Sequence, residues 1–218
     1  MKSNKKVIII GGGPAGIMAA GIAAEQGHNV LIVEKNDRLG KKILISGKGR
    51  CNITNITDIQ GLIDNTPGNG NFLYSAFYTF SNTDLVKFLN DRGLETKIER
   101  GGRVFPVSDS ARDVVDTLKT YLLENKVEIK YNSRVSGIAV REGKVTGIVL
   151  YNGEVLSCDC VILATGGASY PGTGSTGDGY RLAKSLGHTV TALRPSLVPL
   201  VTNDEWVKEL QGLSLKNI

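Results

Sequence analysis

The sequence predicts a doubly wound α/β fold in three layers, a parallel sheet combined with a three-stranded β-meander. Three observations point there. Val7–Ile10 and Val30–Val33 are short apolar, β-branched runs, the pattern of buried parallel strands. Between them lie a glycine-rich turn and an Ala-rich, helix-forming segment, Ile17–Gln26, ended by Gly27. Further on, Arg134–Arg141, Lys144–Leu150 and Glu154–Ser157 are β-rich runs linked by Glu142-Gly143 and Asn152-Gly153, the second a strong hairpin signal. They feed a further buried strand at Val161–Ala164.

The first turn reads Gly11-Gly12-Gly13-Pro14-Ala15-Gly16 and fits G-x-G-x-x-G. Gly11 permits the sharp exit from the strand, Gly13 lets backbone approach a pyrophosphate, and Gly16 lets the helix sit close on the strand. The helix N-terminus then offers free N–H groups and a positive dipole end to phosphates. Glu34 lies eighteen residues after Gly16, at the end of the second strand, where a carboxylate accepts from ribose hydroxyls. An acid there disfavours a 2′-phosphate, so FAD or NAD suits the site better than NADP. A glycine-rich turn in an unrelated α/β domain could match the motif alone. Both strands, the helix and the acid together read as a Rossmann-like dinucleotide-binding unit.

With 218 residues, 41% hydrophobic and 22% charged, the chain suffices for one large or two small soluble domains. Its 26 Lys and Arg are scattered among 21 acids, with no basic block of five, which argues against a nucleic-acid partner. Three cysteines, an odd number without C-x-x-C or zinc spacing, imply a reducing compartment and no metal. Met1–Lys6 is basic, but the apolar run behind it is too short for a signal peptide, and no stretch reaches transmembrane length. The expectation is a cytoplasmic protein without a membrane partner; oligomeric state is left open.

Taken in order, Lys35–Asn55 reads as one long functional loop. Within it, the stretch from Ser46 to Asn52 could wrap an anion or a ring edge with backbone N–H groups, or be ordinary surface. Ile59–Gly70 is polar and turn-rich. Phe72–Phe80 and Asp84–Leu89 read as short helices, with Asn82 or Thr83 capping the second. Glu95–Ile98 and Arg103–Phe105 are strand candidates, Ser110–Asn125 an amphipathic helix, and Glu128–Tyr131 the next strand. Thr165, Gly166 and Gly167 follow the returning strand and should lie near the ligand. Gly172, Gly174 and Gly177 spell a second G-x-G-x-x-G, rejected as a second fingerprint because no strand precedes it and no acid follows at the right distance. A helix is expected over Gly177–Leu186, then strands at His188–Thr191 and Leu197–Thr202. A boundary near Ala192–Ser196 separates a dinucleotide-binding domain over 1–192 from 193–218, a linker and the first part of an inserted, incomplete β-rich domain. The chain is thus expected to be cut short.

SGKGRCNITN, GGRVFP, ATGG and SYPGTGSTGDGY, in that order, resemble the BaiN-like bacterial flavoproteins, a family of NAD(P)/FAD-dependent oxidoreductases, and more distantly the fumarate reductase flavoproteins. The resemblance covers nearly the whole chain, and SGKGRCNITN is its most specific part. It implies FAD as cofactor and NAD(P)H as electron donor. It places Gly11, Gly13, Pro14, Ala15 and Gly16 at the pyrophosphate, Glu34 at the adenosine ribose, and Lys35 and Lys42 along the cofactor. Ser46, Gly47, Arg50, Cys51 and Asn52 would follow the pyrophosphate-to-flavin stretch. Val135 would hold adenine through its backbone, Thr165, Gly166 and Gly167 would close over the adenosine, and Asp178 and Gly179 would approach the flavin. Family members are longer, with an inserted domain and a C-terminal return segment that completes the flavin site. This piece alone is therefore expected to be inactive.

His28 and His188 each follow a glycine at a strand mouth and read as turn residues. Arg50 could lower the pKa of Cys51, but a backbone role for Cys51 is expected. Cys158 and Cys160 should share one strand face as packing residues. Arg103 and Tyr170 are candidates for a substrate-side cation and a flavin-side aromatic. The expected function is an FAD-dependent oxidoreductase passing hydride between NAD(P)H and a small organic substrate; the alternative is a non-catalytic dinucleotide-binding module. No catalytic residue is assigned.

Overall fold

The structure is a computed structural model that describes residues 4–195 and 201–213. β1 (Lys6–Ile10) runs into α1 (Pro14–Glu25), and β2 (Asn29–Val33) completes the first βαβ unit. Next come α2 (Lys41–Ile45), a 3-10 turn at Ser46–Gly49, β3 (Thr54–Asn55), α3 (Ile59–Asp64), α4 (Tyr74–Thr79), α5 (Asn82–Asn90), β4 (Thr96–Glu99) and β5 (Arg103–Pro106). The helix α6 (Ala111–Glu124) leads to β6 (Glu128–Lys130), the meander β7 (Val135–Arg141), β8 (Lys144–Leu150) and β9 (Val155–Ser157), the returning strand β10 (Cys160–Leu163), and α7 (Asp178–Ser185).

The central sheet is parallel, in the order β10-β1-β2-β6. Two antiparallel sheets accompany it, β3-β5-β4 and the meander β7-β8-β9. Alternation along the strands builds two cores. Val7, Ile9, Val30 and Ile32 face α1 and α6, where Ile17, Ala20, Leu118 and Leu122 complete the first core. Ile8, Ile10 and Val33 face the other way, onto Ile148 and Leu150 of the meander and Leu182 of α7. A sheet covered on both faces needs apolar residues at every strand position, hence the unbroken runs. Leu122 is fully buried in the first core. Leu122→Ala should cost about 3 kcal/mol, the usual range for a cavity left by leucine, seen as a lower urea midpoint; an unchanged midpoint would count against this packing.

The sequence reading differs from the structure in several places. Lys35–Asn55 is not one loop. Gly40, at φ 66, starts α2, and buried Ile43 anchors that helix in the core. Within Ile59–Gly70 a helix forms because the Asp58 carboxylate caps the Gly61 N–H at 2.7 Å. The cap of α5 is Ser81, in a reciprocal capping box with Asp84. Asn82 instead donates to the carbonyls of Asn55 and Thr57, at 2.6 and 2.7 Å. Cys158 and Cys160 do not share a core. The chain changes course at Asp159, whose carboxylate accepts the Lys6 N–H at 2.7 Å, so Cys158 packs with the meander and Cys160 against the α1 side. His188–Thr191 forms no strand, being mostly exposed with no neighbour to pair. Of Leu197–Thr202, residues 197–200 lie outside the described residues, and Val201 and Thr202 form no strand.

Candidate functional site

Strands β1, β2 and β10 run parallel and end at one edge of the sheet. The chain leaves β1 for β2 on one side, while β10 returns on the other side. Such a switch point leaves a crevice between the loops that follow the strands. Here it is a cavity of about 480 Å³, walled chiefly by residues 10–15, 33–36, 133–135, 163–166, 173–175 and 178–180.

The fingerprint glycines answer to three different constraints. Gly11 has φ 109, and a Cβ there would stand 2.5 Å from the Ala164 carbonyl oxygen. A Cβ on Gly16 would run into the carbonyl of Gly11. Gly13 is different: its φ is −80, and a Cβ would meet no protein atom within 4 Å. Gly13 itself lines the cavity. α1 begins there with Pro14 in its first turn, no side-chain cap and no acid in that turn. A pyrophosphate therefore fits this wall, since it needs donors, a positive dipole end and room at the backbone.

Glu34 is buried, and its carboxylate already holds three protein donors. Oε2 accepts the Gly12 N–H at 2.6 Å; Oε1 accepts the Asn36 N–H at 2.8 Å and its Nδ2 at 2.6 Å. Oε2 keeps capacity for one further donor from the cavity. Across the cavity, residues 169–178 form a strap. Lys35 Nζ donates to Thr176 Oγ1 and Asp178 Oδ2, both at 2.7 Å. Lys42 Nζ donates to Ser175 Oγ at 2.7 Å and the Ser169 carbonyl at 3.0 Å. Arg134 reaches the other oxygen of Asp178 at 3.0 Å. Burial works against the charge on Asp178, but hydrogen bonds from Arg134 and Lys35 outweigh it and hold the carboxyl well below the usual carboxylate range. Its pairing thus stabilises the strap at neutral pH, and that contribution is lost as pH falls through the depressed pKa.

Of the residues singled out in the sequence, Gly11, Gly13, Pro14, Ala15, Glu34, Lys35, Lys42, Val135, Thr165, Gly166, Asp178 and Gly179 line this cavity. Gly16 packs behind it against Gly11, and the Gly167 carbonyl, just before the strap, accepts the Gly177 N–H. Ser46, Gly47, Arg50, Cys51 and Asn52 do not line it. They lie beside the β3-β5-β4 sheet, where the Ile53 N–H donates to Val104. Arg50 is engaged there by Glu99 and Asp109 and stacks 4.2 Å above the Phe105 ring. It does not activate Cys51, since burial pushes that thiol up. Arg103 donates to the Arg100 carbonyl, and Tyr170 is largely exposed. The sequence reading missed Gly12, Asn36, Arg134 and the strap residues 173–175. The strap did leave a signal, the second glycine pattern. Gly174 and Gly177 both take positive φ there, and Gly174 lines the cavity.

A parallel sheet, a phosphate-ready glycine turn, an acid after the second strand and a meander crossing over the sheet define a dinucleotide-binding domain with the fold of FAD-dependent oxidoreductases. Residues 5–217 match the HI0933-like protein Rossmann domain, and the chain belongs to that family. It is 35% identical over 208 residues to the ribosomal RNA dihydrouridine synthase of Escherichia coli K12, covering 95% of this chain and 50% of the relative. It is 38% identical over 199 residues to the 3-dehydro-bile acid delta(4,6)-reductase of Clostridium scindens, covering 89% and 47%. The BaiN-like resemblance holds. The chain spans about half the length of these curated relatives. In fold it is similar to a flavocytochrome c3 fumarate reductase in its open conformation (TM-score 0.62, 24% identity, 85% of this chain and 41% of that one). It is also similar to the 3-ketosteroid-delta4-(5alpha)-dehydrogenase of Rhodococcus jostii RHA1 (TM-score 0.58, 18% identity, 78% and 47%). Among the described residues no helix is long and apolar enough to cross a membrane, and no group of side chains suited to a metal ion stands together.

Proposed function

We propose that this chain is the FAD-binding part of an NAD(P)H-dependent reductase that saturates an activated carbon–carbon double bond in a small organic substrate. The observation that carries the reading is the cavity at the switch point, with an open Gly13 and an uncapped α1 on one wall and Glu34 on another. Bound FAD supplies the capacity to take up a hydride and give it up again. The chain's own residues bind and orient it. The α1 N–H groups face the pyrophosphate, the free lone pair of Glu34 Oε2 meets the ribose, and Lys35 and Lys42 lie along the cofactor and hold the strap beside it. The two relatives' names support the reaction class, since one makes a dihydro base and the other is a delta(4,6)-reductase. Three free cysteines support a reducing compartment.

Glu34→Ala should weaken FAD binding to the full-length protein by about 2 kcal/mol, the scale of a charge-assisted hydrogen bond; equal affinity by titration calorimetry would remove Glu34 from the site. A second reading takes its support from the relatives named for ribosomal RNA: the substrate is a uridine in rRNA. Mass spectrometry of rRNA from a deletion strain separates the two. Loss of one dihydrouridine selects RNA, whereas unchanged rRNA with turnover of a soluble enone selects the small molecule.

A further inference from the structure

Asn36 lies two residues beyond the acid and makes more cavity-side contacts than a loop residue needs. Its N–H and Nδ2 both donate to Glu34 Oε1. The remaining Nδ2 hydrogen points to the Thr173 carbonyl of the strap, 3.4 Å away, and Oδ1 accepts from Lys41 at 3.3 Å. Its carbonyl accepts the Asn132 N–H at 3.0 Å, tying the end of β2 to the segment that enters the meander. The strap makes room for it: a Cβ on Gly174 would lie 2.6 Å from Nδ2. One side chain thus touches the acid, the strap and a cavity-wall lysine. A carboxylate free to rotate would present either oxygen to the cavity. Two donors from one neighbour, with Gly12 on the other oxygen, leave a single orientation.

We infer that Asn36 is the positioning residue of the nucleotide site, fixing the Glu34 carboxylate and fastening it to the strap. The inference rests on the proposed placement of the FAD adenosine at Glu34. It makes strap closure and ribose binding one event, because opening the strap at Thr173 withdraws a partner from the amide that orients the acid.

The test uses the full-length protein loaded with FAD and follows FAD release by the recovery of flavin fluorescence. Asn36→Ala should release FAD about ten-fold faster, the equivalent of one lost hydrogen bond to a charged group. Gly174→Ala, which crowds the amide from the strap side, should act in the same direction. Asn36→Asp supplies a readout that simple loop packing would not move. The groups facing position 36 are Glu34, Lys41 with its partner Asp37, Lys35 from beside Gly174, and the Tyr131 phenol, which lies near Glu34. Lys41 is already paired with Asp37 at 3.7 Å, so the like charge of Glu34 favours the protonated form of a carboxyl placed at position 36. That proton is kept below the raised pKa and lost above it. FAD should therefore be held as in the parent near about pH 5 and released faster near about pH 8, while parent release stays level. A parent that takes up no FAD overturns the cofactor reading and this inference together. A parent that holds FAD, with Asn36→Ala and Asn36→Asp releasing it at the parent rate at both pH values, overturns the inference alone. If Asn36→Asp does not fold, the alanine variant decides.

Discussion

Gly13→Val is expected to abolish FAD binding by the full-length protein and leave its fold intact. The two halves of that expectation come from separate observations. Gly13 sits at φ −80 and ψ −179, an extended conformation that valine adopts readily. No protein atom lies within 4 Å of a Cβ placed there, so the apo protein has nothing to move. The same empty space is the room that a pyrophosphate needs against the α1 N-terminus. Branched carbon there keeps the phosphate from the N–H groups, and affinity should fall by roughly 100-fold or more, about 3 kcal/mol. FAD titration and thermal melting of the apo protein check both halves. Parent-like FAD affinity would mean the phosphate lies elsewhere.

Gly11→Ala, two residues away in the same motif, should fail for the opposite reason. Its φ of 109 belongs to glycine, and the added methyl would stand 2.5 Å from the Ala164 oxygen and 2.8 Å from its carbonyl carbon. Both are backbone atoms of the loop after β10, so relief requires β1 and β10 to part. Left-handed strain of about 1–2 kcal/mol adds to about 1–3 kcal/mol of overpacking. The sum is a large share of a domain's usual stability. Chemical denaturation should show a destabilised or unfolded protein, with FAD binding lost as a consequence; parent-like stability would contradict the close approach of the two strand ends.

The contrast shows which parts of the molecule were legible in the sequence. The parallel sheet, α1, α6 and the meander follow from apolar periodicity and turn chemistry, and both come from nearest neighbours along the chain. The cavity's first wall, from Gly11 to Ala15 with Glu34, was legible because the spacing of a strand, a turn and a helix fixes where their ends meet. The strap was not. Its glycines match a phosphate motif, yet their positions are set by Lys35, Asn36 and Lys42, more than 120 residues earlier in the chain. Asn36 was overlooked for a related reason: its worth lies in the Glu34 carboxylate and the Thr173 carbonyl it joins, and no spacing rule links those. The stretch from Ser46 to Asn52 stands apart from that wall. It is the most distinctive string in the sequence, but Arg50 folds onto Glu99, Asp109 and Phe105 of a separate sheet, away from the cavity.

The most direct test of the central claim, that the switch-point cavity holds FAD, is the absorbance spectrum of the purified full-length protein, recorded before and after anaerobic addition of NADH and NADPH separately. The account predicts the bands of a bound flavin, released as FAD on denaturation and bleached by at least one of the two nucleotides. A colourless protein that stays colourless after incubation with FAD, while still binding adenine nucleotides, would contradict it and select a non-catalytic nucleotide-binding module.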